Sequence, residues 1–251
     1  MTFQEWLIKN PQKINITEID CSSSDLSDLD GVEQFTELIK LNCSNNYLNE
    51  LPDLSNIIEL NCKSNELKKL PKLPKCTVLI CGYNNLIELP DLPNCLELNC
   101  VENNSEKFID FFNSYPLPNT NRKLEKLPEL PMCKFLSCGY NLLIELPSLP
   151  NCVQLDCENN NLQRLPELPK CEKLNCKDND IVVFPDLPEC RALSCSINDL
   201  YELPILPKCE ILFCKSFNIY YDSSEDNMAR YKMVVRKKKM EKLHEVGSGI
   251  N

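Results

Sequence analysis

Residues 152–170 read CVQLDCENNNLQRLPELPK, and residues 171–189 continue CEKLNCKDNDIVVFPDLPE. Laid over one another, the two 19-residue blocks share cysteine at places 1 and 6, leucine at 4, asparagine at 9 and P-x-L-P from 15 to 18. The beat extends in both directions. Cys43, Cys62, Cys81 and Cys100 are spaced by 19, as are Cys138, Cys157, Cys176, Cys195 and Cys214, and the gap between the two sets is 38, two periods. A second series runs five residues ahead of the first: Cys76, Cys95, Cys133, Cys152, Cys171, Cys190 and Cys209. Self-similarity at a fixed short period marks a stacked repeat architecture. The unit is C-x-x-L-x-C-x-x-N-x-L-x-x-L-P-x-L-P-x.

Within each unit the L-x-C pair alternates with the period of a strand that buries one face, so stacked units predict a parallel sheet. Two prolines per unit forbid a helix on the return segment and favour extended, polyproline-like geometry. Such a slab is thin, and small, polarizable cysteines fill its interior where leucine would crowd. The asparagine column (Asn46, Asn65, Asn84, Asn103, Asn141, Asn160, Asn179, Asn198) falls where each strand turns away. A buried amide there bonds backbone groups of neighbouring turns, a structural duty. Counting the second cysteine of each unit from Cys21 gives about ten rungs, roughly 45 Å of sheet at about 4.8 Å per strand. The first interval, from Cys21 to Cys43, is longer than one period, and DLDGVEQFTEL replaces the proline pair, which suggests a helical turn.

The chain's 251 residues resemble, over some 200, the leucine-rich-repeat family, whose signature is L-x-x-L-x-L-x-x-N-x-L, with cysteine here in the first and third leucine places. The LPKLPK (70–75) and LPELPK (165–170) stretches are similar to the short repeats of bacterial effectors and of giant-DNA-virus leucine-rich-repeat proteins. The resemblance implies a curved, right-handed solenoid with a concave parallel sheet, an extended convex face and helical caps at both ends. It also raises a second function, since some such effectors are ubiquitin ligases using a C-x-D cysteine in a separate helical domain. Cys176-Lys177-Asp178 matches the letters, but it occupies a repeat-core place, and the stretch after Cys214 is too short for such a domain.

Outside the repeats, three segments need separate readings. Residues 1–15 contain Phe3, Trp6 and Leu7 at helical spacing before Pro11, and read as an N-terminal cap helix or else a free amphipathic anchor. The solenoid is assigned to 16–219, interrupted at 105–123, where Phe108, Phe111, Phe112 and Tyr115 fit an amphipathic helix, a degenerate extra rung or a projection. Residues 220–251 form a basic C-terminal helix and tail, with Arg236, Lys237, Lys238 and Lys239 together. That segment caps the array, or carries a nuclear-import signal or a site for an anionic partner.

A net charge of −10 and pI near 4.8 argue against nucleic acid as the partner. No signal-peptide or membrane-spanning run of apolar residues is visible, so the expected place is the cytoplasm, the host's if the protein is an effector or viral. There the 17 cysteines are expected as buried, reduced thiols, Cys81, Cys157 and Cys176 among them, with inter-rung disulfides or a metal as the alternatives. The only histidine is His244, and no phosphate-loop, nucleophile-elbow or zincin motif occurs. The reading is a monomeric, non-enzymatic protein-interaction module without cofactor or small-molecule substrate. A ligase-like effector or adaptor acting through its termini is the alternative.

Fixing C-x-x-L-x-C as the core turns places 3 and 5 of each rung outward. Most of these pairs are polar. Ile211 and Phe213 end the array, within reach of a C-terminal cap. Val78, Ile80 and Phe135 lie in its middle, joined by Tyr83 and Tyr140 from two C-G-Y-N turns. These five residues are the candidate partner-binding patch, unless the 105–123 insertion covers them or their grouping is coincidental.

Overall fold

The cysteine that marks every repeat of the sequence becomes, in three dimensions, the end of a strand in every turn. The computed structural model describes residues 1–11, 16–103, 124–200, 202–215 and 220–221. The 105–123 insertion, His244 and the Arg236–Lys239 run lie outside them. Parallel strands β1 (Glu18–Asp20), β2 (Lys40–Asn42), β3 (Glu59–Asn61), β4 (Val78–Ile80) and β5 (Glu97–Asn99) precede the insertion. After it come β6 (Phe135–Ser137), β7 (Gln154–Asp156), β8 (Lys173–Asn175), β9 (Ala192–Ser194) and β10 (Ile211–Lys215). They stack in sequence order in a single sheet. The central leucine or isoleucine of each rung, from Ile19 to Leu212, is buried. The leucine-rich-repeat solenoid expected from the sequence is therefore the fold.

Two departures are instructive. Strand β5 pairs directly with β6, Glu97 opposite Phe135 and Asn99 opposite Ser137, so residues 105–123 insert no rung between them and that alternative falls. At the far edge, β11 (Tyr220–Tyr221) runs antiparallel to β10, with Cys214 opposite Tyr221. Tyr220 and Tyr221, which the sequence reading assigned to the start of a C-terminal helix and tail, thus add a last strand to the sheet instead.

On the convex side the second proline of each unit occupies a corner. The Cys76 N–H donates to Leu73 O (3.2 Å), Cys95 to Leu92 (3.2 Å) and Cys133 to Leu130 (3.2 Å), closing tight turns with Pro74, Pro93 and Pro131 in second place. Proline's fixed φ suits that place, and its missing N–H is not needed there. The irregular first interval forms the expected helical turn, a 3-10 segment over Val32–Gln34 that starts from Gly31 at φ 94°.

The N-terminal helix α1 (Phe3–Lys9) is too short to hold without tertiary packing. Thr2 and Glu5 form a reciprocal capping box at its start. Phe3 and Trp6 stack at 5.7 Å and are buried in the same apolar core as Leu26 and Leu29. The Trp6 Nε1–H donates to Ser24 Oγ (3.0 Å) and the Phe3 N–H to Asp28 Oδ1 (3.1 Å), which fix the helix to the first turn. Among the described residues no helix is long and apolar enough to cross a membrane.

All 17 cysteines are buried free thiols. The first column has a defined partner: Cys76 Sγ–H donates to Val78 O (3.2 Å), Cys95 to Glu97 O (3.2 Å) and Cys152 to Gln154 O (3.3 Å), and the pattern continues to Cys209. In the second column, burial pushes the Cys81, Cys157 and Cys176 thiols well above their ordinary pKa, with neighbouring cysteines adding to the effect. Burial likewise raises Cys76 and Cys171 to about 11, and Cys95 and Cys190 to about 12. Among the described residues no three Cys, Asp or Glu side chains converge as metal ligands.

The asparagine column does what buried amides must. Asn84 Nδ2 donates to Cys62 O (3.0 Å), Cys81 O (3.1 Å) and Gly82 O (3.2 Å), while its Oδ1 accepts from Leu67 N–H (3.1 Å). The same set ties Asn65, Asn160 and Asn179 to the rung before each. Asn103, last before the insertion, breaks the ladder. Its Nδ2 bonds Cys100 O (2.8 Å), but its fully buried Oδ1 has no partner among the described residues.

Before each asparagine one residue adopts a left-handed backbone. Asn45, Ser64 and Asn159 do so at small cost, but Ile197 does so as well, at φ 57°. A β-branched residue is disfavoured there by about 1 kcal/mol or more. Ile197→Asn is expected to stabilise the protein by about 1 kcal/mol in urea unfolding, since asparagine tolerates this conformation. A neutral or destabilising result would show that Ile197 packs usefully enough to offset its backbone.

Candidate protein-binding face

Because side chains alternate along a strand, burying the central leucine sends its two neighbours to the other side of the sheet. Lateral order then follows from register. The first outward row runs Glu59, Val78, Glu97, Phe135, Gln154, and the second runs Asn61, Ile80, Asn99, Ser137, Asp156. Beyond the strands, the left-handed turn residues form a third row in which Glu102 falls between Tyr83 and Tyr140. Tyr83 N–H bonds Val101 O (2.9 Å), and Glu102 N–H bonds Gly139 O (3.0 Å).

The candidate residues occupy these rows as follows. Val78 and Ile80 are half-buried on β4, while Phe135 on β6 and the turn residues Tyr83 and Tyr140 are exposed. They do not form one continuous apolar surface. In the first and third rows a carboxylate of the fifth rung separates them: Glu97 between Val78 and Phe135, and Glu102 between the tyrosines. Ile80 stands between Asn61 and Asn99. A hollow of about 270 Å³ opens at this seam, lined by Glu97, Asn99, Phe135, Ser137 and Gln154 with Leu98 and Leu136 beneath. A larger trough, about 660 Å³, covers the N-terminal strands from Glu18 to Ile80.

Charges on the face are largely tied to one another. Lys40 sits between Glu59 (3.1 Å) and Glu18 (3.7 Å), which raise its pKa. Lys63 Nζ lies 4.9 Å from the centre of the Tyr83 ring. Tyr140 is held by Glu158: this hydrogen bond, then burial and nearby acids, pushes the phenol up to about 12. Burial opposes the charge on Glu158, yet the bonds from Tyr140 and Asn175 and the Lys177 charge outweigh it and lower its pKa. Asn175 Nδ2 also bridges to Asp156 (3.1 Å), whose carboxyl burial holds above its ordinary value.

Glu102, Lys63 and Glu158 were missed as parts of this surface by sequence reading. Their signal was present: each lies about one repeat period from an aromatic or apolar neighbour once the two-period jump across the insertion is allowed. The Cys176-Lys177-Asp178 cysteine offers no nucleophile here. Its side chain is fully buried, its Sγ–H donates to Ser194 O (3.5 Å), and burial raises its pKa.

No family model matches the chain, and no curated protein matches it. Solved structures do. YopM from Yersinia enterocolitica WA-314 is 31% identical with TM-score 0.65, over 79% of this chain and 41% of that one. YopM from Yersinia pestis, described as a leucine-rich effector protein, is 30% identical with TM-score 0.57, over 80% of this chain and 54% of that one. A Shigella effector leucine-rich-repeat domain shares the fold at 24% identity and TM-score 0.53, over 78% of this chain and 74% of that one. The chain thus spans about half the length of the two Yersinia proteins. With ten parallel strands in register, an asparagine ladder and these neighbours, the chain is a leucine-rich-repeat protein that resembles bacterial effectors of that fold.

Proposed function

We propose that the chain is a non-enzymatic interaction module that holds a protein partner on its concave sheet, acting as a monomer in the cytoplasm, that of a host if it is an effector. The observation that carries this reading is the outward placement of exposed Phe135 and half-buried Val78 and Ile80 among polar neighbours in the middle of the sheet. No stacked element of the described fold covers them. Apolar anchors ringed by polar side chains are the composition of binding hot spots. The likeness to effectors supports a protein as partner, and the net charge of −10 disfavours nucleic acid.

The test begins with affinity capture from host cytosol and identification by mass spectrometry, followed by affinity measurement with Ile80→Asp combined with Phe135→Ala. Losing two anchors is expected to weaken binding by about 2 kcal/mol or more, some thirtyfold. Circular dichroism verifies that the variant still folds. Unchanged affinity in a folded double variant would remove this face from the proposal.

A further inference from the structure

The fifth rung divides the apolar patch with two carboxylates, and their surroundings specify a ligand. Glu97 is exposed, lies about one strand spacing, roughly 4.8 Å, from both Val78 and Phe135, and opens into the 270 Å³ hollow. Glu102 stands in the same relation to Tyr83 and Tyr140. Neither carboxylate makes a hydrogen bond or ion pair among the described residues. Other acids on the face differ: Glu18 and Glu59 share Lys40, and Glu158 takes bonds from Tyr140 and Asn175. Asn99 Oδ1 accepts the Val101 N–H of the turn that follows its strand (3.3 Å), so its amide donors remain for a ligand.

An unpaired carboxylate beside an open aromatic ring, with an apolar wall opposite, matches one side chain best. A guanidinium can lie flat over the Phe135 ring while its fork meets Glu97, and its methylene stem can run along Val78. A lysine would make the ion pair without the planar stacking. We infer that the hollow between β5 and β6 is an arginine-accepting site, so that the partner presents a basic, extended segment to the concave face. The amides of Asn99 and Gln154 would meet that segment's backbone carbonyls. Charge complementarity acts in the same direction, because the whole chain is acidic. This inference rests on the interaction-module reading but makes a separate claim about chemistry.

The test uses phage-displayed random dodecapeptides selected on the whole 251-residue chain and then resynthesised. Selected peptides are expected to share an arginine. Their affinity should fall at least tenfold with Glu97→Gln, or when the arginine is replaced by citrulline, and should hold with Glu88→Gln on the convex side. Pairing Glu97→Arg with an arginine-to-glutamate peptide should restore part of the loss. Peptides that lose binding with Ile80→Asp, yet carry no basic residue and ignore Glu97→Gln, would overturn the arginine site and leave the concave-face reading standing. Peptides indifferent to both variants would overturn both readings, and failure to select any peptide would overturn the arginine site.

Discussion

Between about pH 9 and 10 the protein is expected to unfold cooperatively, after holding nearly constant stability from about pH 6 to 8. The cause lies in the two cysteine columns. Fourteen of the thiols, from Cys21 to Cys190, have folded pKa values raised above the ordinary 9.0, mainly by burial, while the hydrogen bond between Cys195 and Cys214 raises the first and lowers the second. A raised folded pKa means that the contribution is intact below the unfolded pKa and is lost as pH climbs above it. There the unfolded chain ionises its thiols while the folded one cannot. Half a unit above the unfolded pKa each thiol favours the unfolded state by about 0.8 kcal/mol, and the fourteen together by about 12 kcal/mol. That equals the whole stability of a typical domain. Far-UV circular dichroism against pH in a reducing buffer measures the transition. Thiol reagents should label Cys81, Cys157 and Cys176 only as it occurs. A protein still folded at about pH 11 would show that these thiols are not neutral and buried as described.

Asn84→Ala is expected to cost about 3–5 kcal/mol, more than any single change on the concave face. The substitution leaves Leu67 N–H and the Cys81 carbonyl buried without their amide partner, each a loss of about 1–3 kcal/mol, and takes from Cys62 O one of its two amide donors, Asn65 Nδ2 being the other. Asn103→Ala should cost only about 1–2 kcal/mol, because among the described residues that side chain has a single donor bond to lose and an acceptor that is already unpaired. Urea unfolding of the two variants against the parent gives the comparison. Equal losses would mean that the break in the ladder at Asn103 is filled by something outside the described residues.

The contrast between these sites shows what a sequence of this kind discloses. The strands were legible because their cause is local and periodic: L-x-C alternation places Leu79 inward and Val78 and Ile80 outward without reference to any other residue, and the outward pairs of every rung fall where that rule puts them. The asparagine ladder was legible for the same reason. What neighbours what across the sheet was harder, since Glu97 meets Phe135 only because the insertion adds no strand, a fact that depends on register and not on pattern. The five-residue patch reads in the sequence as a cluster with polar neighbours, and the register shows that an acidic rung runs between its halves. The convex prolines were read as extended spacers, and their role at the second place of a closed turn follows from a hydrogen bond, Cys76 N–H to Leu73 O, that no composition rule supplies.

The equal length of the 19-residue rungs also has a mechanical meaning. Each rung contacts its neighbours through one short ladder and one amide, so tension applied at the ends loads these connections in series. When one yields, it releases a whole repeat of chain, about 65 Å of contour against the roughly 5 Å the rung occupied along the stack. Under load the solenoid is thus a ratcheted tether, lengthening in steps of about 60 Å while the rungs still stacked keep their shape.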